Sequence, residues 1–385
     1  MYETHLPTPR ANPRRSLALA LGFCVLGALI TTPAMADGQD DTGPTAAFGE
    51  MVEVSEVLLD VLVTDRQGDV VLGLEASDFI LEENGVERSV SGASFYSNRF
   101  KVRDGEQGLQ KPLPNEVLAD RHFILYFHDP RLSGGGLQGR LIRQHLDATR
   151  RSREWVETEM LPGDWVAVVS YGVKLKVHQD FTQDRGALVA AIDQAAKGKD
   201  PSNEWASRRP EVAAGQPALL PHLPEGKALR KETTRMYGAL QILAEASRDI
   251  VGRKNVLLFT LGFGDVERLG ALISEPDQRF YPEMKEALND NNMAIHPINL
   301  LPEARFNLQG HFLNQLAIDS GGTYYENFVN FIAPIRTIAD ESNGYYLLSY
   351  QAEHPAGESG YREVEVKTRN PEFRVQARQG YKYGS

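Results

Sequence analysis

Two residues that could bind a ligand, Asp129 and Ser133, lie just beyond a predicted buried strand. Residues 123–127 are apolar and aromatic without polar alternation, which is typical of a strand buried on both faces. The strand stops at Asp129, and Ser133 follows directly before a run of three glycines. Open α/β sheets bind their ligands beyond the carboxyl ends of the strands. The sequence therefore predicts a ligand site around Asp129 and Ser133.

A hydrolase is an alternative interpretation of the same stretch, with Ser133 as nucleophile and His128 as its base. The two residues stand on opposite sides of a turn, however, and no Gly-x-Ser-x-Gly elbow surrounds the serine. The glycine run also lacks the Gly-Lys-Ser/Thr ending of a phosphate loop. We therefore predict a protein that is not an enzyme, in which Ser133 caps a helix.

Composition narrows the classes of partner. The chain of 385 residues has a formal net charge of -11. Binding to nucleic acid would require a basic stripe, and binding to anionic lipid would require a basic patch. We therefore expect neither as a partner. The chain's single cysteine, Cys24, lies in the apolar run near the N-terminus. If that run is removed, thiol catalysis, thiolate metal sites and disulfides are removed with it.

Residues 1–36 have the pattern of an export signal. An apolar run at 17–30 follows a basic start and precedes the small-residue site that ends at Ala36. The basic start holds Arg10, Arg14 and Arg15. We expect cleavage after Ala36, a periplasmic or extracellular location, and no membrane span afterwards. A membrane anchor is the alternative, but the run is short and Pro33 ends it; the paired arginines leave the twin-arginine route open.

The remaining chain divides by its patterns into a disordered lead, a β segment, a linker, an α/β domain and a second β segment. These are predicted at 37–50, 51–97, 98–119, 120–342 and 343–385.

Repeated strand and helix patterns in 120–342 predict a doubly wound, mostly parallel sheet of the Rossmann-like α/β class. One helix is expected from about 228 to 251, and the segment 197–226, with five prolines, is expected to be a surface insertion. The two β segments are each too small to bury their own apolar faces. We expect them to share an accessory β-sandwich beside the α/β domain.

Several motifs together resemble the von Willebrand factor type A family. They are Asp129-x-x-x-Ser133 and the stretches 161–169, 252–259 and 316–322. Motifs at 61–68, 73–79 and 378–381 resemble the bacterial, acidobacterial-type branch of that family. The resemblance covers nearly the whole chain after residue 36 and implies a protein-binding function.

Members of this family that bind a metal ion do so with Asp-x-Ser-x-Ser, a threonine from a second loop, and an acid after a later strand. Mg²⁺ prefers such hard oxygen ligands, about six of them. The resemblance therefore implies Asp129, Ser133 and Thr234 as metal ligands, with Thr233 as a rival for the threonine position.

Two positions depart from that pattern. Arg131 stands at the first serine position and Leu261 at the late acid position. A guanidinium places a fixed positive charge beside Asp129, where it could take the place of the ion. Asp265 is an alternative for the lost acid, but it lies beyond Gly262 and Gly264. We predict a degenerate site without a cofactor, with retained Mg²⁺ as the alternative.

The sequence thus favours an exported, non-catalytic protein-interaction module whose protein partner is unidentified. A secreted hydrolase using Ser133, or an adhesion domain that retains Mg²⁺, are the alternatives.

Overall fold

The computed structural model describes residues 52–97, 120–132, 138–263, 276–300, 310–326 and 330–384. The predicted export signal, lead and linker lie outside the described residues, as do Ser133 and Asp265. The described strands are, in chain order, β1 (Val52–Thr64), β2 (Phe79–Glu83), β3 (Val86–Arg88), β4 (Val90–Ser97), β5 (Arg121–His128), β6 (Asp164–Tyr171), β7 (Leu175–Thr182), β8 (Lys254–Thr260), β9 (Met293–Asn299), β10 (Gly344–Pro355), β11 (Gly360–Thr368), β12 (Arg374–Ala377) and β13 (Gly380–Tyr383). The described α-helices are α1 (Gln138–Thr158), α2 (Arg185–Ala196), α3 (Gly226–Glu232), α4 (Met236–Ala246), α5 (Tyr281–Asp290), α6 (Gly310–Asp319) and α7 (Ile332–Glu341).

A mostly parallel sheet forms the centre of the α/β part, in the order β7-β6-β5-β8-β9. Strands β6, β5, β8 and β9 are parallel, and β7 returns antiparallel to β6. Every residue of β8 and β9 is buried, because helices cover both faces of the sheet. The predicted doubly wound α/β fold is confirmed.

Alternate side chains of β5 enter two separate cores. Ile124 and Tyr126 pack with α4, α5 and α6 on one face. Phe123, Leu125 and Phe127 pack with α1, α2 and α7 on the other. This alternation follows from the period of two along a strand, and it explains why β5 lacks the polar positions of a half-exposed strand.

A β-sandwich is built from the two ends of the described chain. One sheet has the order β12-β1-β10-β4, the other β13-β11-β2-β3. Strand β1 pairs antiparallel with β10 from Val52 opposite Pro355 to Val61 opposite Tyr346. The sandwich core between the two sheets includes Leu59, Leu81 and Leu348, none of which is exposed. The predicted accessory sandwich from N- and C-terminal segments is confirmed.

The prediction of one continuous helix over 228–251 is wrong. The structure has two helices there, α3 and α4, with a break between them. At the break, the buried Thr233 hydroxyl accepts the backbone N–H of Leu175 at 3.0 Å and donates to the Leu229 carbonyl at 2.7 Å. A contact with β7 therefore decides where α3 ends, and the apolar spacing along the chain does not reveal it.

The segment 197–226 also differs from a simple surface insertion. Its residues Leu219, Leu220 and Leu223 are buried in the core beside α4. The buried carboxylate of Asp180 on β7 accepts backbone N–H groups of Leu219 and Leu220 at 2.8 to 3.0 Å. One acid thus fixes the end of the segment to the sheet.

Candidate functional site

The candidate site lies at the carboxyl ends of β5, β6 and β8. Asp129 follows β5 directly, and its backbone N–H donates to the Tyr171 carbonyl at the end of β6 at 2.7 Å. His128, the last residue of β5, has its Nδ1 at 3.0 Å from the hydroxyl of Thr260, the last residue of β8. Three neighbouring strands therefore end at one place, as the parallel sheet predicts.

Asp129 is paired with Arg131. The Nε of Arg131 donates to Asp129 Oδ1 at 2.9 Å, and the Arg131 backbone N–H donates to the same oxygen at 3.0 Å. The Asp129 side chain is 13% exposed and that of Arg131 is 33% exposed. A carboxylate that has lost most of its water needs such a partner, since burying an unpaired charge is costly.

The same guanidinium reaches the last turn of α2. Arg131 Nη2 donates to the Ala196 carbonyl at 2.7 Å, with the Ala195 carbonyl at 3.5 Å. Carbonyls at a helix C-terminus lack intrahelical partners and carry partial negative charge. Arg131 therefore donates hydrogen bonds to the carboxylate and to the helix end at the same time. The compact ammonium group of a lysine is less suited to two such acceptors.

Gly198, just beyond α2, closes over this ion pair. A Cβ built on Gly198 would lie 2.7 Å from Arg131 Cζ and 2.8 Å from Asp129 Oδ2. Its φ of +65° is also one that residues other than glycine rarely adopt. The segment after α2 can lie this close to the ion pair because position 198 has no side chain.

Two histidines flank the ion pair, of which His128 is partly buried and His145 is buried. Burial lowers the pKa of His128 to about 4, with the nearby charge of Asp129 acting in the opposite direction. Burial likewise lowers the pKa of His145, on α1, to about 4, and the charges of Asp129 and Arg131 act on it in opposite directions. Both imidazoles are therefore neutral at pH 7, so Arg131 is the cation that faces Asp129 there.

Thr234, predicted as a metal ligand, is exposed and turned toward its own segment. Its hydroxyl lies 3.4 Å from the Lys231 carbonyl, while its own carbonyl accepts the Tyr171 hydroxyl at 2.9 Å. Tyr171 thereby connects Thr234 to Asp129, which binds the Tyr171 backbone. The rival Thr233 is buried at the α3–α4 break. The Thr234 hydroxyl is thus exposed, whereas the Thr233 hydroxyl is used in buried contacts with β7 and α3.

Leu261 follows β8 at the position where the resemblance implies an acid. It is partly buried and packs against the core on the α1 side. The hydroxyl of the preceding Thr260 accepts a hydrogen bond from the backbone N–H of Gly262 at 3.0 Å and also contacts the His128 imidazole. Ser133 and Asp265, the other two residues predicted from sequence, lie outside the described residues.

The described donors do not fit the Mg²⁺ site that the resemblance implies. Asp129 Oδ1 already accepts two hydrogen bonds from Arg131, and no acid stands at position 261. Within the described ranges, no group of three or more His, Cys, Asp or Glu side chains is arranged to hold a metal ion. Mg²⁺ needs several oxygen ligands and no competing cation among them.

A serine–histidine pair that sequence reasoning missed lies on β6 and β7. Ser170 Oγ and His178 Nε2 are 2.8 Å apart, and both residues are buried. Burial lowers the pKa of His178 to about 4, and the charge of Lys176 lowers it further. A nucleophile and base must reach a substrate, so this pair, enclosed in the sheet, is a structural contact.

Sequence reasoning also missed Gly198, His145 and the carbonyls of Ala195 and Ala196. Gly198 and the two carbonyls contact the ion pair from the end of α2, and His145 on α1 lies near enough for the charges of the pair to act on it. No local pattern marks their contacts with the ion pair, although a glycine just after a predicted helix is a common signal that the helix ends there.

The sheet order, with helices on both faces, is that of the von Willebrand factor type A-like α/β fold. No family model matches the chain, and no curated protein matches it. Solved structures that match this chain include von Willebrand factor type A structures.

Three of these structures are as follows. The von Willebrand factor type A structure from Catenulispora acidiphila is 12% identical, covers 79% of this chain and 72% of its own, and has a TM-score of 0.37. The manganese-loaded TRAP protein of Plasmodium vivax is 11% identical, covers 74% of this chain and 96% of its own, and has a TM-score of 0.37. The conserved hypothetical protein BatB of Bacteroides thetaiotaomicron is 13% identical, covers 58% of this chain and 97% of its own, and has a TM-score of 0.34. At these identities, any functional argument must come from the chain's own residues.

Proposed function

We propose that the protein is an exported, non-catalytic protein-interaction module that binds its protein partner at the carboxyl ends of β5, β6 and β8, around Asp129, Ser133 and Thr234, without a metal ion. The observation that carries the proposal is the ion pair of Asp129 with Arg131. It puts a cation beside Asp129, while Thr234 is exposed and its carbonyl accepts a hydrogen bond from Tyr171, whose backbone Asp129 contacts.

Metal independence follows from charge. A divalent ion would have to approach a carboxylate oxygen that already accepts two hydrogen bonds from Arg131, against the repulsion of the guanidinium. The pair instead offers a partner a nearly neutral, partly exposed polar surface. Arginine is enriched at protein interfaces relative to the rest of the surface.

Export is proposed from the sequence of residues 1–36. In the part of the chain that the structure describes, no helix is both long enough and apolar enough to cross a membrane. A periplasmic or extracellular location, after cleavage at Ala36, is where the protein would meet its partner.

Capture from the producing cell's own envelope tests the binding surface. The mature protein would be compared with Thr234→Arg, which adds bulk and charge at the proposed surface, and with Thr337→Arg, at another exposed threonine, on α7. We expect a partner that is retained by the wild type and by Thr337→Arg, lost with Thr234→Arg, and unaffected by EDTA. A partner that survives Thr234→Arg, or leaves on chelation, would contradict the proposed surface or its metal independence.

The hydrolase alternative is distinguished by activity. A panel of ester, peptide and glycoside substrates would be tested with the mature protein and with Ser133→Ala. We expect no turnover above the rate without protein. A hydrolytic activity that Ser133→Ala abolishes would replace the proposed function with an enzymatic one.

A further inference from the structure

Trp205, in the segment 197–226, is the most exposed of the three tryptophans. It is 48% exposed, whereas Trp155 is 2% exposed and Trp165 is partly buried. The ring of Trp205 lies on Gly226, the first residue of α3, because a Cβ built on that glycine would be 2.5 Å from the ring atom Cη2. The indole therefore packs on α3 and still keeps much of its surface open to a partner.

The residues on both sides of Trp205 are attached to other elements. Glu204 accepts a hydrogen bond from Lys174, directly before β7, at 2.5 Å. The backbone N–H of Ala206 donates to the carboxylate of Glu225, directly before α3, at 2.6 Å. An aromatic side chain that is already held in place loses little freedom when a partner binds to it, which favours affinity.

Helix α3 adds cations to the surface that Trp205 begins. Arg230 is four residues, about one helical turn, after Gly226, so it lies on the side of α3 on which the indole packs. Lys227 and Lys231 are also four residues apart, next to Arg230 on the helix surface, and all three cations are exposed. We name Trp205, Lys227, Arg230 and Lys231 the α3 surface.

The cations of the α3 surface are not neutralised by the described chain. Within the ranges that the structure describes, no carboxylate forms an ion pair with any of the three, whereas the neighbouring Lys174 is paired with Glu204. Helix α3 has one acid, Glu232, against its three cations, although the whole chain has a net charge of -11. A local excess of one charge attracts and orients a partner of the opposite charge.

We propose that the α3 surface binds a short acidic segment of another protein. An apolar side chain of the segment contacts Trp205, and carboxylates next to it pair with Lys227, Arg230 and Lys231. The apolar contact supplies most of the affinity, as at the hot spots of other interfaces, and the ion pairs orient the segment. This surface is additional to the proposed function, because it contains none of the residues named for the candidate site.

A short acidic segment fits the α3 surface better than a nucleic acid does. Aromatic side chains among cations also bind single-stranded nucleic acids. A polyanion that extends past α3, however, meets a chain with 52 acidic and 41 basic residues. A short segment contacts only the basic part of that surface, so it avoids this repulsion.

A labelled peptide tests the proposal. The probe is the hexapeptide Asp-Glu-Leu-Phe-Glu-Asp, labelled with fluorescein for anisotropy and unlabelled for quenching, and titrated into the mature protein. We expect saturable binding, together with weaker acrylamide quenching of the tryptophan fluorescence, because Trp205 is the tryptophan most open to the quencher. The amide peptide Asn-Gln-Leu-Phe-Gln-Asn and the peptide Asp-Glu-Gly-Gly-Glu-Asp should each bind at least about tenfold more weakly.

Variants distinguish the α3 surface from a general effect of charge. Trp205→Ala should weaken the probe about thirtyfold and Arg230→Glu about tenfold. Arg230→Glu keeps the packing of the indole on Gly226, so it decides the matter if Trp205→Ala does not fold. Lys382→Glu, at an exposed lysine of β13, is the matched control and should leave the affinity unchanged. Thr234→Arg, which should release the partner of the candidate site, should not weaken the probe, so the two proposals can fail separately.

Other outcomes overturn the proposal. They are the absence of saturable binding, and equal weakening by Arg230→Glu and Lys382→Glu. Equal binding of a labelled single strand of twelve thymidines would make the ligand a nucleic acid. Weak quenching of Trp205 without peptide would mean that the surface is already covered, by this chain if dilution has no effect and by a second copy if dilution restores the quenching.

Discussion

At the scale of single residues, Arg131 is the position on which the account depends. Its guanidinium contacts the carboxylate of Asp129 and the carbonyl end of α2 together. The sequence suggested the first contact, since the two residues are neighbours, but could not suggest the second, because α2 lies more than fifty residues further along the chain. The contact between the sequence neighbours Asp129 and Arg131 was thus predictable, whereas the contact of Arg131 with α2 was not.

Replacing Arg131 should destabilise the protein. Arg131→Ala leaves Asp129 without its cation and the Ala196 carbonyl without its donor, and we expect a loss of about 1–2 kcal/mol in the free energy of unfolding, reduced from the fully buried case by solvent screening. Urea unfolding measures it. Arg150→Ala, which removes a 68% exposed arginine from α1, should cost no more than about 0.5 kcal/mol. Equal losses in both variants would show that the pair at Asp129 is an ordinary surface contact.

His145 should make stability depend on pH. Its pKa is about 4 in the folded protein and 6.5 ordinarily, so the unfolded chain binds the proton first. The stabilisation is present above pH 6.5 and is lost as the pH falls toward 4, by about 3 kcal/mol for this group. His145→Phe, which keeps an aromatic ring beside Phe127, should reduce the loss between these pH values. His311→Phe, at an exposed position on α6, should leave it unchanged, and chemical unfolding at several pH values distinguishes the two. An unaltered pH dependence in His145→Phe would contradict the neutral, buried state of this histidine.

At the scale of elements, periodicity predicted the elements well and their interruptions poorly. Apolar runs predicted β5, β6, β8 and β9, because strands buried on both faces carry no polar positions. The break between α3 and α4 was missed, because the apolar spacing continues across it while a hydrogen bond from β7 ends the first helix. The burial of Leu219 and Leu220 was missed for a similar reason. A segment with five prolines and little periodicity is typical of a surface loop, and the contact with Asp180 is made by a residue distant in sequence.

Asp180 should control whether the segment 197–226 stays attached. Asp180→Ala removes the acceptor for the N–H groups of Leu219 and Leu220, leaving buried donors unsatisfied at a cost of about 1–3 kcal/mol. We expect faster hydrogen exchange at these two amides and new protease cleavage within 197–226. Asp184→Ala removes the N-cap of α2 and should cost about 1 kcal/mol without opening the segment. If the segment is equally protected in both variants, Asp180 does not anchor it.

At the scale of the whole molecule, partly buried polar contacts join the sandwich to the α/β part. Arg253 at the start of β8 donates to the Gly321 carbonyl and approaches Gln376 of β12, while the Gln379 N–H donates to Asn289 of α5 at 2.6 Å. Asp60 of β1 accepts from Asn292 at 2.5 Å. The sequence predicted that the chain ends meet in one sandwich, from the size of each segment, but not which residues would attach it.

These contacts predict that the two parts unfold together. All three tryptophans belong to the α/β part, so their fluorescence reports that part alone, whereas circular dichroism reports both. The two signals should give coincident urea transitions in the wild type and separate in Arg253→Ala, which removes the donor to the Gly321 carbonyl and to Gln376. Arg336→Ala, which removes an exposed ion pair within the α/β part, should keep them coincident. Separate transitions in the wild type would mean that the contacts do not couple the two parts.

The central claim is that the cation of the candidate site is Arg131 and not a metal ion. Calorimetric titration of Mg²⁺ and of Mn²⁺ into the mature protein tests it most directly. We predict no one-site heat with either ion in the wild type or in Asp129→Ala. Clear one-site binding to the wild type that Asp129→Ala abolishes would contradict the claim.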